Sequence, residues 1–292
     1  MSKVYDAIVI GAGHNGLCTA AYLARAGLKV AMIERRHEEG GGVNTEEPLE
    51  PGYRFNLHAN YMEFFDIIPM IEDFDLENCG LRSITPENQA GIAFADGRPP
   101  IVLHRNDLLE KSHASIAHYS KADADTFMEL KQRTMEFGPF LGIGIYNPPF
   151  EGMNEAQAAM LGDMFGDMGV GPHFAVKSPK AVIDELFESP EMRTLLYRMA
   201  VEFGVPLDQA GTGGMVPTAL MWMVGRFRMA KGGTHTLAKA MTQACYAHGV
   251  DLIENAEVEK IIVEDGRAVG VVARGMEFRA TSAWWRARMC AR

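Results

Sequence analysis

Basic charge is in short supply in this 292-residue chain. Lys and Arg number 28 against 38 Asp and Glu, the formal net charge is -10, and no basic run exceeds two residues. A nucleic-acid backbone selects a basic surface, so that partner class is excluded. Cysteine is scarce too: Cys18, Cys79, Cys245 and Cys290 lie far apart with no C-x-x-C spacing. They suggest neither a zinc site nor a disulfide framework, and they fit a reducing, cytoplasmic compartment. Long apolar runs are missing. The best uncharged stretch, Gln209 to Val224, is broken by Gly211, Gly213, Gly214 and Pro217, too short and irregular for a bilayer core. The start, Met1 to Asp6, lacks the apolar core of a secretory signal. Internal repeats and low-complexity tracts are absent.

What is present is ordinary globular composition, 47% apolar and 23% charged, at a length that suggests about two domains. Nineteen methionines stand out. They suit a Met-rich core or a pocket for a greasy ligand. Val4 to Ile10 reads as a buried strand, Leu17 to Ala26 as a helix closed by Gly27, and Lys29 to Ile33 as a second strand. This is a β-α-β unit. Residues 35–60 read as loop and 61–104 as short mixed elements. Asn106 to Gly138 reads as helical, with Asp107 as N-cap and a joint near Ser120. Ser178-Pro179 and Ser189-Pro190 each place a capping hydroxyl before an N1 proline, opening helices near 179–188 and 190–203. Further helices are expected around Pro217 to Val224 and Thr234 to His248. Then the period changes: Val250–Ala256, Val258–Glu264 and Ala268–Arg274 read as strands, with Asp265-Gly266 as a hairpin turn.

The first strand runs directly into Gly11-Ala12-Gly13-His14-Asn15-Gly16, a G-x-G-x-x-G that opens a helix, and Glu34 ends the next strand 18 residues after Gly16. That is the full context of a dinucleotide fingerprint. Gly11 permits the tight turn, Gly13 clears the backbone's approach to a pyrophosphate, and Gly16 lets helix and sheet pack closely. The helix N-terminus offers free N–H groups to the phosphates. Glu34 can accept hydrogen bonds from a ribose diol and would repel a 2′-phosphate, which argues against NADP. Glu34-Arg35-Arg36 followed by Gly40-Gly41-Gly42 supplies extra backbone N–H groups to a second stretch of the same cofactor, favouring FAD over NAD.

The stretches GAGHNGL, ERRHEEGGGVNTEE (34–47), PGYRFN (51–56), KGGTHTLAKAM (231–241) and NAEVEKIIVEDGRAVGV (255–271) resemble the FAD-dependent phytoene desaturase-like oxidoreductases. That group covers carotenoid desaturases, carotenoid isomerases and retinol saturases. The resemblance extends to the branch called pyridine nucleotide-disulfide oxidoreductase domain-containing protein 2. The resemblance implies an α/β fold. A Rossmann-like FAD-binding domain, the β-α-β unit plus the late β-meander, would be built from 1–60 and 230–281, with 61–229 inserted as an α-rich substrate region. It implies FAD as cofactor, bound by Gly11, Ala12, Gly13, His14, Asn15 and Gly16 at the pyrophosphate and by Glu34 at the ribose. Arg35 would lie beside the adenine, Gly41 and Gly42 in the loop toward the rest of FAD, and Val258 on the strand whose backbone meets adenine. Asn56 to His58 would pass near the isoalloxazine. Many members carry Arg after the Gly-Gly pair, where this chain has Val43 and Asn44.

The resemblance implies hydride transfer between flavin and a small lipophilic, unsaturated substrate. No side chain reads as an obvious acid or base, so no catalytic residue is assigned. His113 and His118 are five apart, poor spacing for one helical face, and no metal is expected. The Met- and Phe-rich stretch from Phe137 to Phe174 suits an apolar cavity or peripheral membrane contact as well as a loop over the core. The end of the chain, Ala283-Trp284-Trp285-Arg286-Ala287-Arg288, does not continue the strand pattern expected of relatives, and 282–292 reads as an atypical tail. Two tryptophan codons read one base earlier contain a valine codon. The expectation is therefore a frame shift near residue 283, with the natural protein continuing into a Gly-Asp flavin motif; a short protein with a basic tail is the alternative. Two further readings stay open: a nucleotide-binding fragment without catalysis and an NAD-dependent dehydrogenase.

Overall fold

A computed structural model of the chain describes residues 3–62, 65, 68–146, 166 and 172–286. Its strands are β1 (Lys3–Ile10), β2 (Val30–Ile33), β3 (Thr45–Glu46), β4 (Phe55–Asn56), β5 (Ser83–Ile84), β6 (Asn88–Ile92), β7 (Ile101–His104), β8 (Met229–Ala230), β9 (Asp251–Ile253), β10 (Val258–Glu264), β11 (Arg267–Ala273) and β12 (Met276–Arg286). The helices used below are α1 (His14–Arg25), α2 (Pro69–Asp73), α3 (Leu109–Ala117), α4 (Lys121–Tyr146), α5 (Pro172–Val176), α6 (Pro179–Leu186), α7 (Pro190–Glu202), α8 (Met221–Met223) and α9 (His235–Ala247). The chain divides into two compact units, 1–84 with 228–292, and 85–227. Residues 61–84 thus belong with the first unit.

The first unit is an α/β layer built on a six-stranded sheet in the order β10-β11-β12-β1-β2-β9. β12, β1, β2 and β9 run parallel, and β10, β11 and β12 form an antiparallel meander. All four residues of β2 are buried because both faces of the sheet are covered. On one face Ala7, Val9, Val30 and Met32 pack with Leu17, Ala20, Ala21 and Ala24 of α1 and with Ala238, Met241 and Cys245 of α9. On the other face Tyr5, Ile8, Ala31 and Ile33 pack with Val271 and Phe278. Tyr5 and Ile8 share a face despite their odd spacing because the register with β12 shifts between Tyr5 and Ala7. The turn at Asp265-Gly266 has φ of 48° and 74°, the pair of positive angles a two-residue hairpin of this hand requires.

In the sequence the strand pattern also runs through Met276 to Ala280, and 282–292 reads as an atypical tail. In the structure the strand continues to Arg286, where Ala283, Trp284, Trp285 and Arg286 pair with Ala7, Ile8, Val9 and Ile10. Composition argued against a strand, but the ladder is made by backbone groups, and central β1 offers a full row of them. Tryptophan itself favours strands. The remainder of the expected tail lies outside the described residues.

In the second unit Ser120 sits between α3 and α4, and its hydroxyl caps α4 by accepting from Asp123 N–H at 3.0 Å. Ser178 and Ser189 cap α6 and α7 by accepting from Ala181 and Met192 N–H. Asp107 is not an N-cap. It lies inside the 3₁₀ turn Asn106–Leu108, and Leu108 occupies the cap position of α3 without a side-chain bond. Between Val216 and Leu220 the chain forms a π-helical turn before α8. Almost all of the Phe137 to Phe174 stretch lies outside the described residues or in the part of α4 whose side chains are not described, so the expected apolar cavity there falls outside them too.

Candidate FAD site

The site begins with the turn out of β1. Gly11 has φ of 96°, and its N–H donates to Ile33 O at 2.8 Å, tying the loop to β2. A Cβ on Gly16 would lie 2.0 Å from Gly11 O, so only glycine lets α1 start this close to the strand. Gly13 occupies the N-cap position of α1 and offers no side chain to satisfy the first turn. The N–H groups of that turn therefore remain available to an anion.

The second glycine loop lies against the first. Gly40 N–H donates to Ala12 O at 2.8 Å, and a Cβ on Gly41 would come within 3.1 Å of Gly13 Cα. Gly41 also has φ of 59°. The two loops form a cradle of backbone, narrow enough that side chains at Gly13 or Gly41 would fill it.

Glu34 lies behind the cradle, 8% exposed. Its Oε2 accepts from Ala12 N–H at 2.7 Å and its Oε1 from Arg36 N–H at 2.8 Å. The carboxylate thus fastens the first loop to the end of β2, and each oxygen keeps a second lone pair. Ala12 N–H is spent on Glu34 and is not free for a phosphate. Glu34 O accepts from Ala256 N–H at 2.8 Å, and Asn255, held at φ of 51°, donates to Arg36 O at 2.7 Å. This left-handed Asn turn carries the chain into β10, and Val258 follows three residues later.

These parts line one cavity of about 740 Å³. Gly11, Gly13, His14, Asn15, Glu34, Arg35, Gly41, Gly42 and Val258 all face it. Ala12 and Gly16 do not; they shape it from behind. Sequence reading missed Ile10, Ile33, Arg36, Ala256, Glu257, Glu259, Lys260 and Ile261, which also line it, and singled out His58 only by resemblance. The signal that could have found the β10 group is the Asn-Ala pair at 255–256, a left-handed turn leading into a strand. Desolvation at the loop pushes His14 below its ordinary pKa. Asn56 does not line the cavity; its side-chain oxygen is engaged by Thr45 and Thr234 instead. Among the described residues no cluster of His, Cys, Asp or Glu could hold a metal ion. The cysteines there are free thiols, and burial pushes Cys245 up to about 12, far from reactive.

Residues 9–74 match the family described as NAD(P)-binding Rossmann-like domain, and residues 178–284 match the FAD binding domain family. One component of the limonene dehydrogenase of Castellaniella defragrans is 38% identical over 92% of this chain and 48% of its own length. The pyridine nucleotide-disulfide oxidoreductase domain-containing protein 2 of Rattus norvegicus is 28% identical over 94% of this chain and 51% of its own. Hydroxyneurosporene desaturase of Rubrivivax gelatinosus is 24% identical over 96% and 53%. These matches fit a phytoene desaturase-like FAD oxidoreductase. It spans about half the length of the curated relatives it matches. Among solved structures, an oxidoreductase from Methanosarcina mazei matches 95% of this chain and 57% of its own with a TM-score of 0.59 at 18% identity. A Rab GDI from Plasmodium falciparum matches 97% and 65% with a TM-score of 0.60 at 10% identity. Both likenesses concern fold alone, and fold does not fix function.

The cavity fits the cofactor of this family. An FAD diphosphate is an anion for the open first turn of α1. The glycine cradle leaves room for it, and Glu34 has lone pairs left for a ribose diol.

Proposed function

We propose that this protein is an FAD-dependent oxidoreductase that moves a hydride between a lipophilic, unsaturated substrate and flavin. The observation that carries the reading is that both glycine loops, Glu34 and Val258 line a single cavity. In it, the N–H groups of Gly13, His14 and Asn15 bind the diphosphate, Glu34 accepts from the adenosine ribose, and Arg35 and Val258 flank the adenine. Gly41 and Gly42 keep the second loop low enough for backbone contact with the same cofactor. FAD supplies the hydride-accepting chemistry when bound, and the protein supplies position and a dry site. Residues 1–60 and 230–281 form the FAD-binding domain in this reading, residues 61–84 pack with it, and residues 85–227 form the substrate region. The lipophilic substrate class rests on the carotenoid desaturases among the relatives. Such a substrate implies peripheral contact with a membrane; among the described residues no helix is long and apolar enough to cross one.

A second reading, nucleotide binding without catalysis, is favoured by the span of about half of each relative. Anaerobic mixing separates the two. The FAD-loaded protein is titrated with a cyclic monoterpene and, separately, with a C30 or C40 polyene, while the flavin band is followed. Bleaching with either supports the oxidoreductase. A yellow protein that both leave unbleached supports the fragment.

A further inference from the structure

One polar network next to the site takes no direct part in it. Asn56, at the end of β4, pairs with Thr45 of β3. Its Oδ1 accepts from Thr45 Oγ1 at 2.8 Å, from Thr234 N–H at 3.0 Å and from Thr234 Oγ1 at 3.4 Å. Thr45 Oγ1 in turn accepts from His235 N–H at 3.0 Å. Two N–H groups at the N-terminus of α9 are thus satisfied by the β3–β4 hairpin rather than by a cap on the helix itself, which has no side-chain cap of its own. The fit is close: a Cβ on Gly233 would lie 2.3 Å from Thr45 Oγ1.

The same elements hold the second glycine loop from both ends. Gly42 is followed by Val43 and by Asn44, which is 1% exposed. Thr234 is also almost fully buried, and the contact of its hydroxyl with Asn44 O is 3.3 Å. On the other side Ala59 N–H, three residues past Asn56, donates to Gly42 O at 3.2 Å. Loop 40–42 is therefore strung between Asn44 and Ala59. The side-chain oxygen of Asn56, three residues before Ala59, joins Thr45, the neighbour of Asn44, to Thr234 at the start of α9. The adenosine end of the cavity, Glu34 with Ala256 and Val258, is held by a separate set of bonds that does not include Asn56.

We propose that Asn56 is a positioning residue for FAD: acting through Thr45 and Thr234, it holds loop 40–42 against Gly13 and so sets affinity for the part of the cofactor beyond AMP. The inference rests on the FAD reading above. It also specifies what position 56 must be. All three bonds at Oδ1 are accepted, none donated, so a carboxylate can replace the amide. It would sit at the positive end of the α9 dipole, where a negative charge is favoured. A leucine of similar size offers no acceptor.

The test is calorimetric titration of the 292-residue chain with FAD and with AMP, comparing wild type, Asn56→Leu and Asn56→Asp, with Tm recorded for each. AMP reports the adenosine end alone. The expected result is at least a tenfold loss of FAD affinity in Asn56→Leu with AMP affinity within twofold of wild type, and FAD affinity within about threefold of wild type in Asn56→Asp. Equal losses for FAD and AMP in Asn56→Leu would overturn the proposal, since the defect would then be general. So would an Asn56→Asp protein as impaired as Asn56→Leu, or an Asn56→Leu protein that binds FAD normally. Should Asn56→Leu fail to fold, Asn56→Asp beside Thr45→Val decides. Retained FAD affinity in the first and a selective loss of FAD affinity in the second are required. A wild-type chain that binds AMP but not FAD, or neither, defeats the FAD reading itself and this inference with it.

Discussion

The carboxylate of Glu34 accepts from two backbone N–H groups while facing the cavity, so it is both a wall of the site and a brace for it. Removing it leaves the buried Ala12 N–H without a partner, at a cost of about 1–3 kcal/mol in addition to any lost ribose bond. Glu34→Ala should therefore lower both FAD affinity and Tm, the affinity by about 1.5–3 kcal/mol. Unchanged FAD binding in a titration of that variant would count against the assignment. Lys131 of α4 makes a different statement. It is fully buried, and its Nζ donates to Met221 O at 2.7 Å and to Val224 O at 2.5 Å. Burial, with the nearby Arg226 second, lowers its pKa to about 7. A neutral amine has two N–H donors, which match the two carbonyls. Between about pH 7 and the unfolded-state value near 10.4, the unfolded chain binds more protons than the folded one. Stability should rise with pH across that window, and the gain should be lost as pH falls to 7. Urea unfolding at pH 7 and 9 should show the rise in wild type and a smaller one in Lys131→Met; identical slopes in the two would refute it. Neither role is legible in sequence. A polar helix such as α4 gives no sign of which lysine faces inward, and the bonds of Glu34 depend on a loop 22 residues away.

At the scale of elements, what could be read from sequence is what local chemistry decides. The β-α-β start, the Ser-Pro caps of α6 and α7, and the Asp265-Gly266 hairpin all follow from residues within a few positions of one another. Asp107 failed as a cap because the 3₁₀ turn at 106–108 intervenes. The extension of β12 to Arg286 was hidden because its partner, β1, lies at the other end of the chain. The two serine caps are not equal. Ser189 is buried, and its hydroxyl also donates to Asp123 Oδ2 at 2.5 Å, whereas Ser178 is partly exposed and its hydroxyl makes, among the described residues, the cap bond alone, at 3.3 Å. Ser189→Ala should cost about 2 kcal/mol or more and Ser178→Ala about 1 kcal/mol or less. Equal Tm losses would show that the Asp123 bond adds nothing. Gly16→Ala should be more severe than either, because its Cβ would meet backbone at 2.0 Å with no flexible side chain to yield.

At the scale of the molecule, the first unit draws residues from both ends of the chain, 1–84 and 228–292, and the site is made where they meet, at Glu34 and Ala256. The fingerprint made half of that site readable. The other half, the run from Ala256 to Ile261, carries no such fingerprint, and it reaches the site through the pairing of β9 with β2 and the bond from Ala256 N–H to Glu34 O. A crystal structure of the chain grown with FAD shows whether this cavity holds the cofactor. The diphosphate is expected at the first turn of α1 beside Gly13, the ribose within hydrogen-bond distance of Glu34, and the adenine against Val258. FAD bound elsewhere, or an adenosine whose ribose is out of reach of Glu34, would contradict this placement.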